Sequence, residues 1–240
     1  MGLFELWSFF IIVIACAIAW VLTQQIQRIG RQQPEFGRLA VIVTICVWVW
    51  LGVALTASLI GFFRQPTQFG ADDLLGFALF GSLMTIPVIG FWLGMRWNMT
   101  FRQMIAAIPT WWMVALQLYR IGGVVFVGFV VSGHVPYLWG MSTGIGDVLV
   151  GVMAVPVAWG LARCTAWAPR VAIGWNVLGL ADIGNSVVYV FLVFFGVINV
   201  HPAPVLIGMH PLALIALFQV PLAIITHGVV LGRLIERLRR

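Results

Sequence analysis

The chain has 240 residues, 62% of them apolar and only 8% charged, with a mean hydropathy of +1.07. An ordinary soluble domain carries about a quarter charged residues, so this composition belongs in a lipid bilayer. The net charge of +6 comes from thirteen arginines scattered along a chain without lysine, which excludes the clustered basic face that nucleic acid requires.

Seven apolar runs are long enough to cross the hydrocarbon core as helices, which takes about 20 residues each. They are predicted at 3–22, 39–63, 74–95, 108–131, 139–162, 173–197 and 206–231, within a single transmembrane domain over 1–240. The fold class is therefore an all-α, polytopic seven-helix bundle. The leading MGLFELW carries Glu5 where a signal peptide would be basic, so it reads as a retained first helix. Leu6 breaks the myristoylation pattern despite Gly2. A polar stretch, QQIQRIGRQQPEFGR, follows the first span, RQPTQFGADD the second and RWNMTFR the third. Pro109 sits at the start of the fourth, where a missing amide does little harm. Pro87, Pro156 and Pro221 fall inside spans three, five and seven, where they are expected to kink the helix.

Arginine placement gives the orientation, because short Arg-rich loops stay in the cytoplasm. Arg28, Arg31, Arg38, Arg96, Arg102, Arg163, Arg170, Arg233, Arg237, Arg239 and Arg240 all fall at one end of the alternation, whereas Arg64 lies opposite beside Asp72 and Asp73. The amino terminus is expected outside, the carboxyl terminus in the cytoplasm, and the chain in the inner membrane as a multi-pass protein. On that side the sequon Asn98-Met99-Thr100 receives no glycan. Trp20, Trp92, Trp97, Trp159, Trp167 and Trp175 fall near inner ends, and Trp7, Tyr137 and Trp139 near outer ends, as interfacial aromatics would. Trp48 and Trp50 sit mid-span and read either as helix packing or as the wall of a ligand site. The tail GRLIERLRR extends span seven as an amphipathic end, with Leu231, Leu234, Ile235 and Leu238 on the apolar side and arginines for anionic headgroups.

Three charges lie deep in the spans: Arg120 in the fourth, Asp147 in the fifth and Asp182 in the sixth. Each falls within about one turn of its span's midpoint, counting 1.5 Å per residue. Alone, each would cost about 2.5 to 3.5 kcal/mol, so Arg120 is expected between or beside the two carboxylates. Gln117 shares a helix face with Arg120, and Gly122 and Gly123 permit close backbone approach. Gly140, Gly144, Asp147 and Gly151 form a stripe with Ser142 and Thr143 nearby, and Trp175, Gly179, Asp182, Ser186 and Tyr189 form another with Asn176 and Asn185 at its edges. Gln219 and His227 complete a polar seam among spans four to seven.

Two readings of the seam stay open. Arg120, Asp147 and Asp182 are an ionic clamp that fixes helix register, or they border a polar cavity for a proton, ion or small solute. In the second reading the ligand or proton site comprises Arg120, Asp147, Asp182, Gln117, Asn185 and Tyr189. His134, His201 and His210 lie near the outer face with Met141 and Met209, and His227 lies alone in the inner leaflet. As metal or haem ligands His201, His210 and His227 match no spacing motif, so neither metal nor haem is expected. Cys16, Cys46 and Cys164 form no Cys-x-x-Cys pair, which leaves out a disulfide framework and the usual zinc spacings.

At LQLYRIGG, GIGDVLVG, WNVLGLADIGNSVVY and PLAIITHGVVL the chain resembles a group of bacterial seven-helix membrane proteins to which no activity is assigned. The resemblance covers spans four to seven and implies that Arg120, both aspartates and His227 sit in family motifs. Better known seven-helix families fit badly. Retinal proteins need a lysine for the Schiff base, sugar carriers of the SWEET type a Pro-Gln dipeptide, and adiponectin-receptor-like zinc hydrolases several inner-leaflet histidines. The expected function is binding or movement of a small solute or proton, as sensor or transporter. The alternative is a non-catalytic subunit assembled with a membrane partner or with copies of itself. With no nucleophile–base–orienter set or nucleotide motif, no enzymatic activity and no cofactor are expected.

Overall fold

A computed structural model of the protein describes residues 3–62 and 73–239. Arg64, Asp72 and Arg240, which entered the charge count above, lie outside the described residues, as does Gly2. Among the described residues the secondary structure is helical without strands, and seven helical stretches are long and apolar enough to cross a membrane. The chain is a multi-pass membrane protein.

The first two spans are α1 (Leu3–Gln32) and α2 (Gly37–Ile60). The expected polar connection after residue 22 is largely helix: Gln and Arg are good helix formers, and Ile26 and Ile29 are buried, so α1 runs on until Pro34 opens a short 3-10 turn. The third span is α3 (Leu74–Trp97), followed by a short helix that the sequence reading took for connection, α4 (Met99–Ala107). Asn98 caps it, its side-chain oxygen accepting the Phe101 amide at 2.9 Å, so the sequon asparagine has a structural task. Pro109 ends α4 by forcing Ile108 into extended backbone. Arg233 then donates to the Ile105 and Ile108 carbonyls at that end, and so points into the protein rather than to headgroups.

Span four is wound unevenly, as α5 (Thr110–Leu116), a 3-10 segment over Gln117–Gly123, and α6 (Val124–Val131). Spans five and six are α7 (Tyr137–Ala162) and α8 (Ala168–Phe194). The latter stops three residues before its expected end, because Gly196 adopts φ +68° and the Val197 amide turns back to the Leu192 carbonyl. Span seven starts at Leu212 rather than 206, since Pro202, Pro204 and Pro211 keep the preceding segment out of regular helix. It consists of α9 (Leu212–Leu214), a π-helical stretch over Ile215–Gln219 and α10 (Val220–Arg239).

Span seven is the hub, touching α1, α2, α3, span four and α8, while α7 packs along span four and α8. The buried apolar residues fall into two clusters stacked along the bundle axis. One joins Ile11, Phe80, Phe129, Trp139, Phe194 and Leu214; the other joins Ile29, Phe36, Met104, Val150, Trp175 and Leu234. Trp139 and Trp175 are thus core residues rather than interfacial ones. Each buries its ring because its indole N–H has a partner inside, the Ser186 hydroxyl at 3.0 Å and the Val150 carbonyl at 2.9 Å. Along spans four to seven the polar residues fall between the two clusters.

Candidate functional site

Arg120 projects from the 3-10 segment of span four and is 3% exposed. Its Nε donates to Asp147 Oδ1 on α7 at 2.7 Å, and Nη2 donates to Asp182 Oδ2 on α8 at 2.5 Å. Its Nη1 donates to His227 Nε2 on α10 at 3.1 Å and lies 3.4 Å from the Gly179 carbonyl. One guanidinium therefore ties four spans together, with each of its three nitrogens donating.

The bonding fixes the histidine tautomer. Arginine only donates, so Nε2 of His227 must accept, and Nδ1 must carry the proton. Nδ1 sits 2.9 Å from Asn176 Oδ1, whose own Nδ2 donates to the Ala172 carbonyl at 2.6 Å, so the oxygen is correctly placed to accept. A neutral His227 packed 4.8 Å from the Trp175 ring completes the wall behind Arg120. From the sequence His227 lies alone and Asn176 at an edge; the structure brings His227 to Arg120 and Asn176 to His227.

This convergence needs glycines. A Cβ on Gly179 would stand 2.5 Å from the His227 ring, and one on Gly151 would stand 2.6 Å from the Ile121 amide. Cβ atoms on Gly123 and Gly146 would strike the Asp147 and Asp182 side chains. Only Gly146 lacked a sequence signal, because it lies one residue off the stripe that carries Asp147.

The other expected site residues divide. Gln117 is buried and its amide donates to Thr226 on span seven, one turn of 3-10 helix from Arg120. Asn185 is exposed and donates to Ser142 at 3.3 Å, away from the arginine, and Tyr189 packs against the apolar cluster that contains Phe194. Asn185 and Tyr189 are not part of the group around Arg120. His201 is exposed, while His210 lies 3.4 Å from the Ser58 hydroxyl and is lowered below the ordinary imidazole value by burial. Among the described residues no three His, Cys, Asp or Glu side chains converge as metal ligands.

A cavity of about 370 Å³ lies beside the ionic group, within the range of small-molecule sites. Asp147, Asp182, Thr143 and Ser186 form its polar side; Phe80, Met84, Phe191 and Ile215 are among its apolar lining. Arg120 does not line it and holds both carboxylates from behind. Tyr119, next to Arg120, turns the other way and donates to the Gln219 carbonyl of the π-helical stretch at 3.1 Å.

No curated protein and no solved structure matches the chain. A family model described as a domain of unknown function, DUF8737, matches residues 78–235, about two thirds of the sequence, and that stretch includes every residue lining the cavity except Phe77. The chain belongs to the DUF8737 family.

Proposed function

We propose that this protein binds a small solute or a proton in the cavity beside Asp147 and Asp182 and acts as a sensor or transporter in a bacterial inner membrane. The observation that carries the reading is the position of the two carboxylates, held by Arg120 on one side and bordering an open volume on the other. A clamp that served only to fix helix register would be expected to close over its charges with packed apolar atoms. The arginine distribution supports an outer amino terminus and a cytoplasmic carboxyl terminus, since Arg28, Arg96, Arg163 and Arg237 all belong to one end of the alternating spans. Binding rather than catalysis is proposed, with no cofactor, and the bilayer is the one partner the composition requires.

The test is purification of the whole chain in detergent, followed by thermal melts and native mass spectrometry of the wild type, Asp147→Asn and Asp182→Asn. A binding protein is stable alone, retains or takes up a ligand, and loses it on either substitution. Both variants folding and binding as the wild type does would end the reading. Constant copurification with a second membrane protein, and aggregation without it, would favour an assembly subunit instead.

A further inference from the structure

The cavity's chemistry narrows what it takes. With both carboxylates ionised, Asp147 and Asp182 together outweigh the single positive charge of Arg120, and His227 is neutral by its hydrogen bonds, so the ionised group holds one surplus negative charge. Its acceptors are not exhausted. Asp147 Oδ2 and Asp182 Oδ1 receive no hydrogen bond among the described residues, because Arg120 uses one oxygen of each. Thr143, 5% exposed and lining the cavity, has a buried hydroxyl oxygen with no partner among the described residues. A buried polar atom left unpaired in this way is uncommon and calls for a partner. Three acceptors and one unbalanced charge ask for a monovalent cation that carries N–H donors.

The rest of the volume asks for hydrocarbon. Phe80, Met84, Val187, Phe191 and Val220 border it, and a hydrated ion or a sugar would strand its polar groups against them. Access also fits a ligand dissolved in the bilayer. Phe77 of α3 stacks on Phe194 of α8 with ring centres 3.8 Å apart and meets Phe191 edge-on at 4.9 Å, closing the end toward the first residues of α3. Ser82 and Thr85 of α3 line the cavity and are exposed, so it opens sideways next to α3. Ser82 lies about 12 Å along α3 from its first residue at 1.5 Å per residue, which is hydrocarbon depth.

We propose that the ligand is an amphiphilic amine, an ammonium group on an apolar chain, which reaches Asp147, Asp182 and Thr143 from the bilayer between α3 and α8. The proposal rests on the reading of the cavity as a binding site. The free amine and an amine-headed lipid share this chemistry and are separated by the test.

The whole chain in phosphatidylcholine nanodiscs is titrated with decylamine, decanol, decyltrimethylammonium and methylammonium, read by tryptophan fluorescence and native mass spectrometry. Decylamine is expected to bind at least tenfold more tightly than each of the others. Asp182→Asn and Thr143→Val are expected to weaken it, by tenfold or more and by several-fold. Gly81→Leu is expected to abolish binding, because Gly81 lines the cavity with nothing within 4 Å of its Cβ position, so a side chain there fills the space without touching the ionic group. This variant keeps the test decisive if Asp182→Asn fails to fold. Equal binding of decanol or decyltrimethylammonium, or full decylamine binding by Gly81→Leu, overturns the proposal. Methylammonium binding that needs Asp182, without decylamine binding, overturns it but leaves a cavity site standing; no binding of any probe also overturns it, and the ligand retained by the purified chain then decides the cavity reading. Nanodiscs containing phosphatidylethanolamine and no added amine identify the source: protection against later decylamine binding assigns the site to the lipid, and its absence to the free amine.

Discussion

Spans two and three have mean hydropathies of 2.4 and 2.0, and span seven has 2.1, yet 17% of the core window is buried in each of the former and 61% in the latter. Hydropathy does not decide which helix sits at the centre, because lipid tails and the protein interior are alike in apolarity. What decides it is how closely the backbones approach and which polar groups find partners. Spans four to seven have Gly123, Gly151 and Gly179 at their contacts and a four-span hydrogen-bonded group around Arg120; α2 and α3 turn broad apolar faces outward.

The sharpest way to break this contrast is to remove the arginine. Arg120→Leu leaves Asp147 and Asp182 without a counter-charge and His227 Nε2 without a donor. Removing one partner of a buried ion pair costs about 3–5 kcal/mol, and here two pairs share the lost group. The variant should fail to accumulate as folded protein, or melt far below the wild type in detergent. An unchanged melting temperature would show that the ionic group is not what holds the carboxyl-terminal spans together.

Glycine substitutions test the same contrast with a single methyl group. Gly179→Ala puts a carbon 2.5 Å from the His227 ring and 3.2 Å from Arg120 Nη1, an overpacking expected to cost about 1–3 kcal/mol. Gly52 in α2 and Gly90 in α3 have nothing within 4 Å of the same position. There alanine should be neutral or stabilise by up to about 1 kcal/mol through its better helix propensity. Thermal melts of the three variants decide it, and similar losses at all three would remove the distinction between centre and periphery.

Much of this was readable beforehand, and the failures have physical causes. Seven spans follow from apolar length alone, and three deep charges in a bilayer have little choice but to meet. Trp139 and Trp175 were misplaced because an indole at a span end looks interfacial unless its N–H partner, here Ser186 or the Val150 carbonyl, is known. Asn185 was placed at the site by helical periodicity, but it lies on the outward side of α8, where Ser142 meets it. The 3-10 winding that carries Arg120 and the π winding before α10 change the angular position of every following residue, and no composition rule announces them. From sequence α4 reads as a connection because its apolar side is short, and Arg233, which donates to carbonyls at its end, is more than a hundred residues away.

The smallest expected effect separates two neighbouring tryptophans. In α register the Leu217 carbonyl would bond the amide of residue 221, which is proline and has none. The backbone winds as a π helix over that stretch, and Trp50 donates its indole N–H to Leu217 O at 2.9 Å, so a peripheral helix serves the central one at the point where it is weakest. Trp48, two residues earlier, is exposed on α2. Trp50→Phe keeps an aromatic ring but loses the pyrrole half with its donor, which should cost about 1 kcal/mol and speed amide exchange around Leu217. Trp48→Phe should change neither. If the two variants behave alike, the indole contributes only its area, and α2 is peripheral in energy as well as in position.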